Sequence, residues 1–174
     1  CILEAVKQIT KKKVIGDVLR IEAHMGGFGK PKDWWRSSKK ISGGILYDWG
    51  VHLLEYSLQL LQGNLTEVTG YATKGHWETA WGKDTIEDEG FLVARFDNGK
   101  WLTLNMTSID ANSKNQDRGS LEITGTKGTY IMAGQQYKII LPGKEKTIKE
   151  GRNPGSEGWR YYQNVADHMV KGKE

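Results

Sequence analysis

The sequence predicts an α+β fold: a mainly antiparallel open sheet with helices packed on one face. Three observations lead there. Apolar residues recur at helical spacing in three separated segments. Between Leu65 and Leu141 the pattern changes to short alternating runs broken by turn residues. Two of those runs are joined by Asp97-Asn98-Gly99, a hairpin signal because Asn-Gly supplies positive φ at little cost. With 174 residues, 37% hydrophobic and 26% charged, the chain is expected to form one domain, whose core needs no disulfide or metal staple. Strands and helices of this kind, unsegregated into βαβ units, describe an α+β layer arrangement.

The elements follow in chain order. Ile2, Leu3, Val6 and Ile9 share a helical face, and Lys11-Lys12-Lys13 close that helix where cations suit its dipole. Gly16-Asp17 turns the chain into a strand. Its alternation places Leu19, Ile21, Ala23 and Met25 on the inner side and Val18, Arg20, Glu22 and His24 on the outer. Gly26 to Gly44 is an irregular loop carrying Trp34-Trp35-Arg36, and a loop of this length in a compact domain is commonly functional. Ser42 is the expected cap of a helix from about Gly43 to Gln62, with Gly63 as its stop. Strands are expected near 65–77, 86–96, 100–109, 120–124, 129–132 and 137–141, with a second hairpin turn at Thr126-Lys127-Gly128. A last helix presents Trp159, Tyr162, Val165, Ala166 and Met169 on one face.

Composition excludes several function classes. One cysteine, Cys1, is too few for a disulfide framework or an all-cysteine zinc site. His24, His52 and His76 are far apart with no short-spaced pair, so no metal site is expected. The net charge of +4 is modest, and lysines do not interleave with tryptophans, so no nucleic-acid partner is expected. No apolar run approaches the roughly 18–20 residues of a membrane helix, so no membrane partner is expected either. With no secretory signal in the sequence, a cytoplasmic location is the expectation. Seven tryptophans and seven tyrosines call for either a large core or a working surface.

The stretch richest in chemistry is Ser42-Gly43-Gly44-Ile45-Leu46-Tyr47-Asp48-Trp49-Gly50-Val51-His52. Asp48 and His52 are four apart, so on an α-helix they share a face one turn apart. Two interpretations compete. With Glu55, Gln59 and Gln62 they form a polar stripe, and such stripes usually face water. Against that, Gly43, Gly44 and Gly50 sit where a helix-interior glycine costs ~1 kcal/mol relative to alanine, which points to a close approach by a ligand or another backbone. The helix also follows directly on Trp34, Trp35 and Arg36. A titratable pair, an arginine and stacking aromatics suit a polyol or sugar. Oxidising a secondary alcohol needs a proton acceptor near pKa 7, which imidazole supplies.

Trp35-Arg36, a short spacer, Ser42-Gly43-Gly44-x-Leu46-x-Asp48-x-Gly50-x-His52 and an apolar helix ending in glycine resemble the C-terminal domain of the Gfo/Idh/MocA oxidoreductases. The resemblance runs from Ile15-Gly16-Asp17-Val18 to Gly172, and the Gly-Gly/Asp/His helix is its most specific element. It implies a substrate-binding and oligomerisation domain, here residues 1–174, that pairs through its open sheet face as a homo-oligomer. It further implies a separate Rossmann domain holding NAD or NADP, a sugar or polyol substrate, His52 as the acid/base and Asp48 as its pocket partner. Trp35, Arg36 and Gly44 are the accompanying substrate contacts. The sequence departs from the family pattern at Ser42, often glycine, and Glu55, commonly aspartate.

Cofactor-binding motifs are not found. Gly27-Phe28-Gly29 is followed by Lys30-Pro31-Lys32 instead of a final glycine and a helix, and Gly29-Lys30 fails as a phosphate loop at His24 and Pro31. The family's Glu-Lys-Pro lysine has no counterpart. With the helical start at Cys1 and the stop at Glu174, this leads to the expectation of a piece lacking about 100–150 residues of cofactor domain, inactive and without NAD alone. The alternative from another class is a non-catalytic carbohydrate-binding or scaffold domain in which the aromatic loop grips a sugar and no hydride moves. Trp77 and Trp81 flank a loop, Glu78-Thr79-Ala80, that either packs or meets a partner subunit or a ligand.

Overall fold

The computed structural model describes residues 2–112, 120–143, 147–155 and 157–172, so Cys1 lies outside the described residues. It contains an eight-stranded open sheet in the order β2-β3-β4-β1-β5-β6-β7-β8. The strands are β1 (Val18–Gly26), β2 (Leu65–Thr73), β3 (Glu89–Phe96), β4 (Trp101–Thr107), β5 (Leu121–Gly125), β6 (Thr129–Ala133), β7 (Gln136–Leu141) and β8 (Thr147–Arg152). Only β1 and β4 pair in parallel; the other neighbours are antiparallel, as the sequence predicts. The helices are α1 (Ile2–Thr10), α2 (Lys39–Ser42), α3 (Val51–Leu61) and α4 (Trp159–Lys171).

The core lies between the centre of the sheet and the pair α1 and α3. Ala5 and Ile9 of α1 and Leu53, Leu60 and Leu61 of α3 pack with Ile21, Ala23, Leu102, Leu104, Leu121 and Ile123. These strand residues alternate with Glu22, Thr103, Asn105 and Glu122, which therefore occupy the opposite face, away from α1 and α3. There Arg20 pairs with Glu22 at 2.6 Å and lies over the ring of Trp101, and Asn105 donates to Glu89.

Several expectations need correction. A register shift between Val18 and Arg20 turns Val18 into the core and leaves Leu19 exposed, the reverse of simple alternation, because a bulge changes which side chain faces which layer. The strands expected over 65–77 and 86–96 are shorter than drawn, ending at Thr73 and beginning at Glu89. Strand β8 went unread, since Thr-Ile-Lys-Glu-Gly-Arg offers almost no apolar alternation and pairs by backbone with β7. The last helix exists, but none of its residues is buried: Trp159, Tyr162 and Met169 project into solvent, so α4 does not belong to the layer over the sheet.

Most consequential is the helix expected over 43–62. Helical winding runs from residue 45 to 61, but it starts after Gly44 and its first turns, Leu46–Gly50, are π rather than α. Ser42, expected to precede the helix, is the last residue of a separate short helix α2 that Ser38 caps by accepting the Ile41 N–H; the Ser42 hydroxyl accepts the Gly44 N–H at 3.2 Å, and Gly43 ends α2 in the left-handed region. Gly44 follows at φ 108°, then a π-helical turn over Leu46–Gly50, then α3. Gln62 at φ 51°, rather than Gly63, closes α3. The loop from 26 to 44 is also more ordered than its composition suggests. It holds a 3₁₀ turn at Trp35–Ser37, and Phe28 and Ser38 bridge to Ile109 and Thr85.

Candidate functional site

The site forms where the aromatic loop crosses the start of the helical stretch 45–61. Arg36, on the 3₁₀ turn, donates to the carboxylate of Asp48, on the π turn. The arginine's guanidinium carbon also lies 4.4 Å from the Trp35 ring centroid and 5.4 Å from that of Trp34. Guanidinium over an indole face is favourable because the ring quadrupole presents negative charge there. Trp81 Nε1 donates to the Trp34 carbonyl at 2.9 Å, bracing the loop from the segment before β3. Trp77 instead packs on Phe28 and donates to the Ser108 carbonyl, so its part is structural.

A cavity of about 280 Å³ opens beside the Arg36–Asp48 pair. Trp34, Trp49, Pro31, Met25, Ile86 and Met106 supply apolar walls, while Ser37 and Thr107 add polar positions. The paired charges cancel, so the cavity is neutral overall and wall-lined by aromatics.

The two residues of the expected pair differ in exposure. Asp48 reaches the cavity with its side chain only 13% exposed. His52 is exposed at the start of α3, its ring edge-on to Trp49 at 5.7 Å. Among the described residues no hydrogen bond joins Asp48 to His52. Trp49, which lines the cavity and touches His52, connects the two. Trp35 supports Arg36 from outside the cavity lining. Gly44 is not bare to a ligand on its Cα side, because a Cβ there would sit 2.6 Å from Glu87 Oε2.

Sequence reasoning missed the residues that hold this arrangement. The segment 84–87 clasps the loop along its length. Ser38 Oγ donates to Asp84, the Lys40 N–H donates to Asp84 Oδ1 at 3.1 Å, and the Ile86 N–H donates to the Ser37 carbonyl at 3.0 Å. Glu87 pairs with Lys39 and accepts the Ile45 N–H at 3.2 Å. Burial pushes the Glu87 carboxyl upward, but the Lys39 hydrogen bond and nearby backbone N–H groups outweigh it and leave its pKa below the usual value. Next along the chain, buried Asp88 accepts the N–H groups of His76 and Trp77. Nothing in a single sequence links Lys39 or Gly44 to Glu87, since the contact is made only when β3 docks beside the turn.

A dinucleotide would need free backbone amides at a strand-to-helix turn. Gly27-Phe28-Gly29 does not fit: the Gly27 and Gly29 N–H groups are spent on the carbonyls of Thr107 and Ser108. Among the described residues no helix is long and apolar enough to cross a membrane, and no group of three or more His, Cys, Asp or Glu side chains is placed to hold a metal ion.

Comparison with known proteins places this architecture. The chain is similar over 98% of its length to levoglucosan dehydrogenase in complex with NADH, at 16% identity and a TM-score of 0.74. It is similar over 99% of its length to an NAD-binding protein from Listeria innocua, at 19% identity and a TM-score of 0.72. An NAD-binding oxidoreductase from Klebsiella pneumoniae matches 95% of the chain at 20% identity and a TM-score of 0.68. The chain spans about half of these proteins, 54%, 55% and 52% respectively. No curated protein matches it. The family model of the GFO/IDH/MocA C-terminal domain matches residues 3–131, nearly three-quarters of the chain, and the chain belongs to that family.

Proposed function

We propose that this chain is the substrate-binding half of an NAD(P)-dependent oxidoreductase that acts on a sugar, polyol or related neutral hydroxy compound. The observation that carries the proposal is the neutral cavity in which the Arg36–Asp48 pair sits among Trp34, Trp49 and Ser37. A sugar presents C–H faces that stack on indole and hydroxyls that bridge a carboxylate and a guanidinium, whereas a charged substrate would meet no uncompensated charge here. One structural relative, a levoglucosan dehydrogenase in complex with NADH and levoglucosan, holds a compound of the same chemical class.

In this proposal Asp48 accepts a substrate hydroxyl and Arg36 fixes that carboxylate's orientation. His52, whose ring meets that of the cavity-lining Trp49, takes the hydroxyl proton on its imidazole as the alcohol carbon is oxidised. NAD(P) supplies the hydride acceptor, and it would be held by a further domain of a longer polypeptide, since the Gly27 and Gly29 amides are already occupied. The sheet face away from α1 and α3, with Arg20, Glu22, Trp101, Thr103 and Asn105, is the proposed surface for a second copy of the chain.

The test is a panel of neutral sugars and polyols offered to the complete polypeptide with NAD⁺ and NADP⁺, following reduced nucleotide. Turnover that falls in His52→Ala while binding persists supports the enzymatic role. The exposed position of His52 favours one alternative, a carbohydrate-binding domain without catalysis. Saturable sugar binding with no reduced nucleotide for any member of the panel would select it.

A further inference from the structure

We propose that Glu87 is a positioning residue for the Arg36–Asp48 pair: held by Lys39 and the Ile45 amide, its carboxylate fixes the Gly44-Ile45 turn from which Asp48 reaches the cavity. The role rests on the cavity being the substrate site.

A short chain of contacts connects the two acids. Glu87 is 9% exposed, a burial that a carboxylate tolerates only with partners. One oxygen pairs with Lys39 and the other accepts the Ile45 N–H. The carboxylate also fills the space a side chain at residue 44 would need, which explains glycine there together with its φ of 108°. The Gly44 carbonyl in turn accepts the N–H groups of Tyr47 and Asp48, at 3.1 and 3.0 Å. Moving the turn therefore moves the Asp48 backbone directly. Glu87 itself does not line the cavity, whereas its neighbour Ile86 does, so its influence on a ligand passes through residues 44–48.

A role confined to general stability would leave the cavity side chains where they are once the domain has folded. A positioning role would not. In ¹⁵N spectra of the 174-residue chain, Glu87→Ala is expected to move the Ile45 and Asp48 amides, the Arg36 Nε–H and the Trp34 and Trp49 indole signals. Amides of Leu102 and Ile123 in the sheet should stay in place. Glu87→Gln keeps an acceptor for Ile45 and should restore part of the shift. Should the alanine variant not fold, Glu87→Gln and Lys39→Met decide, Lys39 being half exposed and dispensable to the core. In the complete polypeptide, Glu87→Ala should lower kcat/KM about tenfold, with the glutamine variant between, as expected when a contact group is misplaced by a fraction of an ångström. Unmoved Arg36 and indole signals in a folded variant would overturn the proposal. Absence of turnover by the wild-type protein on every carbohydrate would instead remove the substrate reading, and the spectra would still decide whether Glu87 positions Asp48.

Discussion

Arg36 is held twice, by the carboxylate of Asp48 and by the ring of Trp35 at 4.4 Å, so its charge is already spent within the chain. This makes the pair a rigid donor and acceptor unit rather than a free cation awaiting an anion. Asp48→Asn would undo the balance and leave the cavity with a net positive charge. The expected outcome is a reversal of preference, with a hexuronate binding more tightly and its neutral hexose more weakly than in the wild type. Calorimetric titration of both ligands into both proteins checks it. The same change should destabilise folding by about 1–3 kcal/mol, read by chemical denaturation, since Arg36 loses a charged partner in a half-buried position.

Gly44 and Gly75 share nearly the same unusual backbone, φ 108° and 106°, but not the same surroundings. A Cβ on Gly75 would meet nothing within 4 Å, while one on Gly44 meets Glu87 Oε2. Gly75→Ala should therefore cost only backbone strain, of order 1–3 kcal/mol. Gly44→Ala should cost more, and the difference between their unfolding free energies measures the collision with Glu87. Equal losses would mean that the carboxylate yields freely.

The pKa shifts set opposite pH limits on stability. Glu87 is held below its ordinary 4.5 by Lys39 and backbone N–H groups against the upward push of burial. Its contribution is present above pH 4.5 and is lost as pH falls through its lowered folded value. Tyr130 behaves in the reverse sense. Fully buried and stacked on Tyr137, it is pushed from 10.0 up to about 12 by burial, with the hydrogen bond from Asn153 opposing. Its contribution is complete below pH 10 and fades between there and about 12. Lys39→Met should raise the pH of acid unfolding, and Tyr130→Phe should flatten the alkaline fall, both followed by denaturation midpoints across pH.

The layer of the fold was legible because burial enforces periodicity: Ile21, Ala23, Leu102, Leu104 and Ile123 announce their face by alternation alone. Where geometry departs from the ideal repeat, the pattern misleads. A bulge exchanges Val18 for Leu19, and the first turns of the site helix, Leu46–Gly50, wind as π rather than α. The short helix α2, capped by Ser38, has only four residues, too few for an apolar repeat to announce, so Ser42 reads as a beginning where it is an end. Glu87 and Asp84 carry no local signal of their role, because their partners lie in a distant loop. The amphipathic α4 shows that an apolar stripe specifies a face but not what covers it.

His52 offers the sharpest separation of stability from chemistry. It is exposed, and its contact is the edge of the Trp49 ring, so His52→Ala should change unfolding free energy by less than about 0.5 kcal/mol. A general base removed from a hydride-transfer site costs about 10²- to 10⁴-fold in rate. In the complete polypeptide, then, kcat for alcohol oxidation should fall by that factor with the denaturation curve unmoved. The residual rate should rise with pH as hydroxide and water replace the imidazole. A variant that retained full turnover would place the proton acceptor elsewhere and leave Asp48, inside the cavity and joined to Arg36, as the carboxylate to test next.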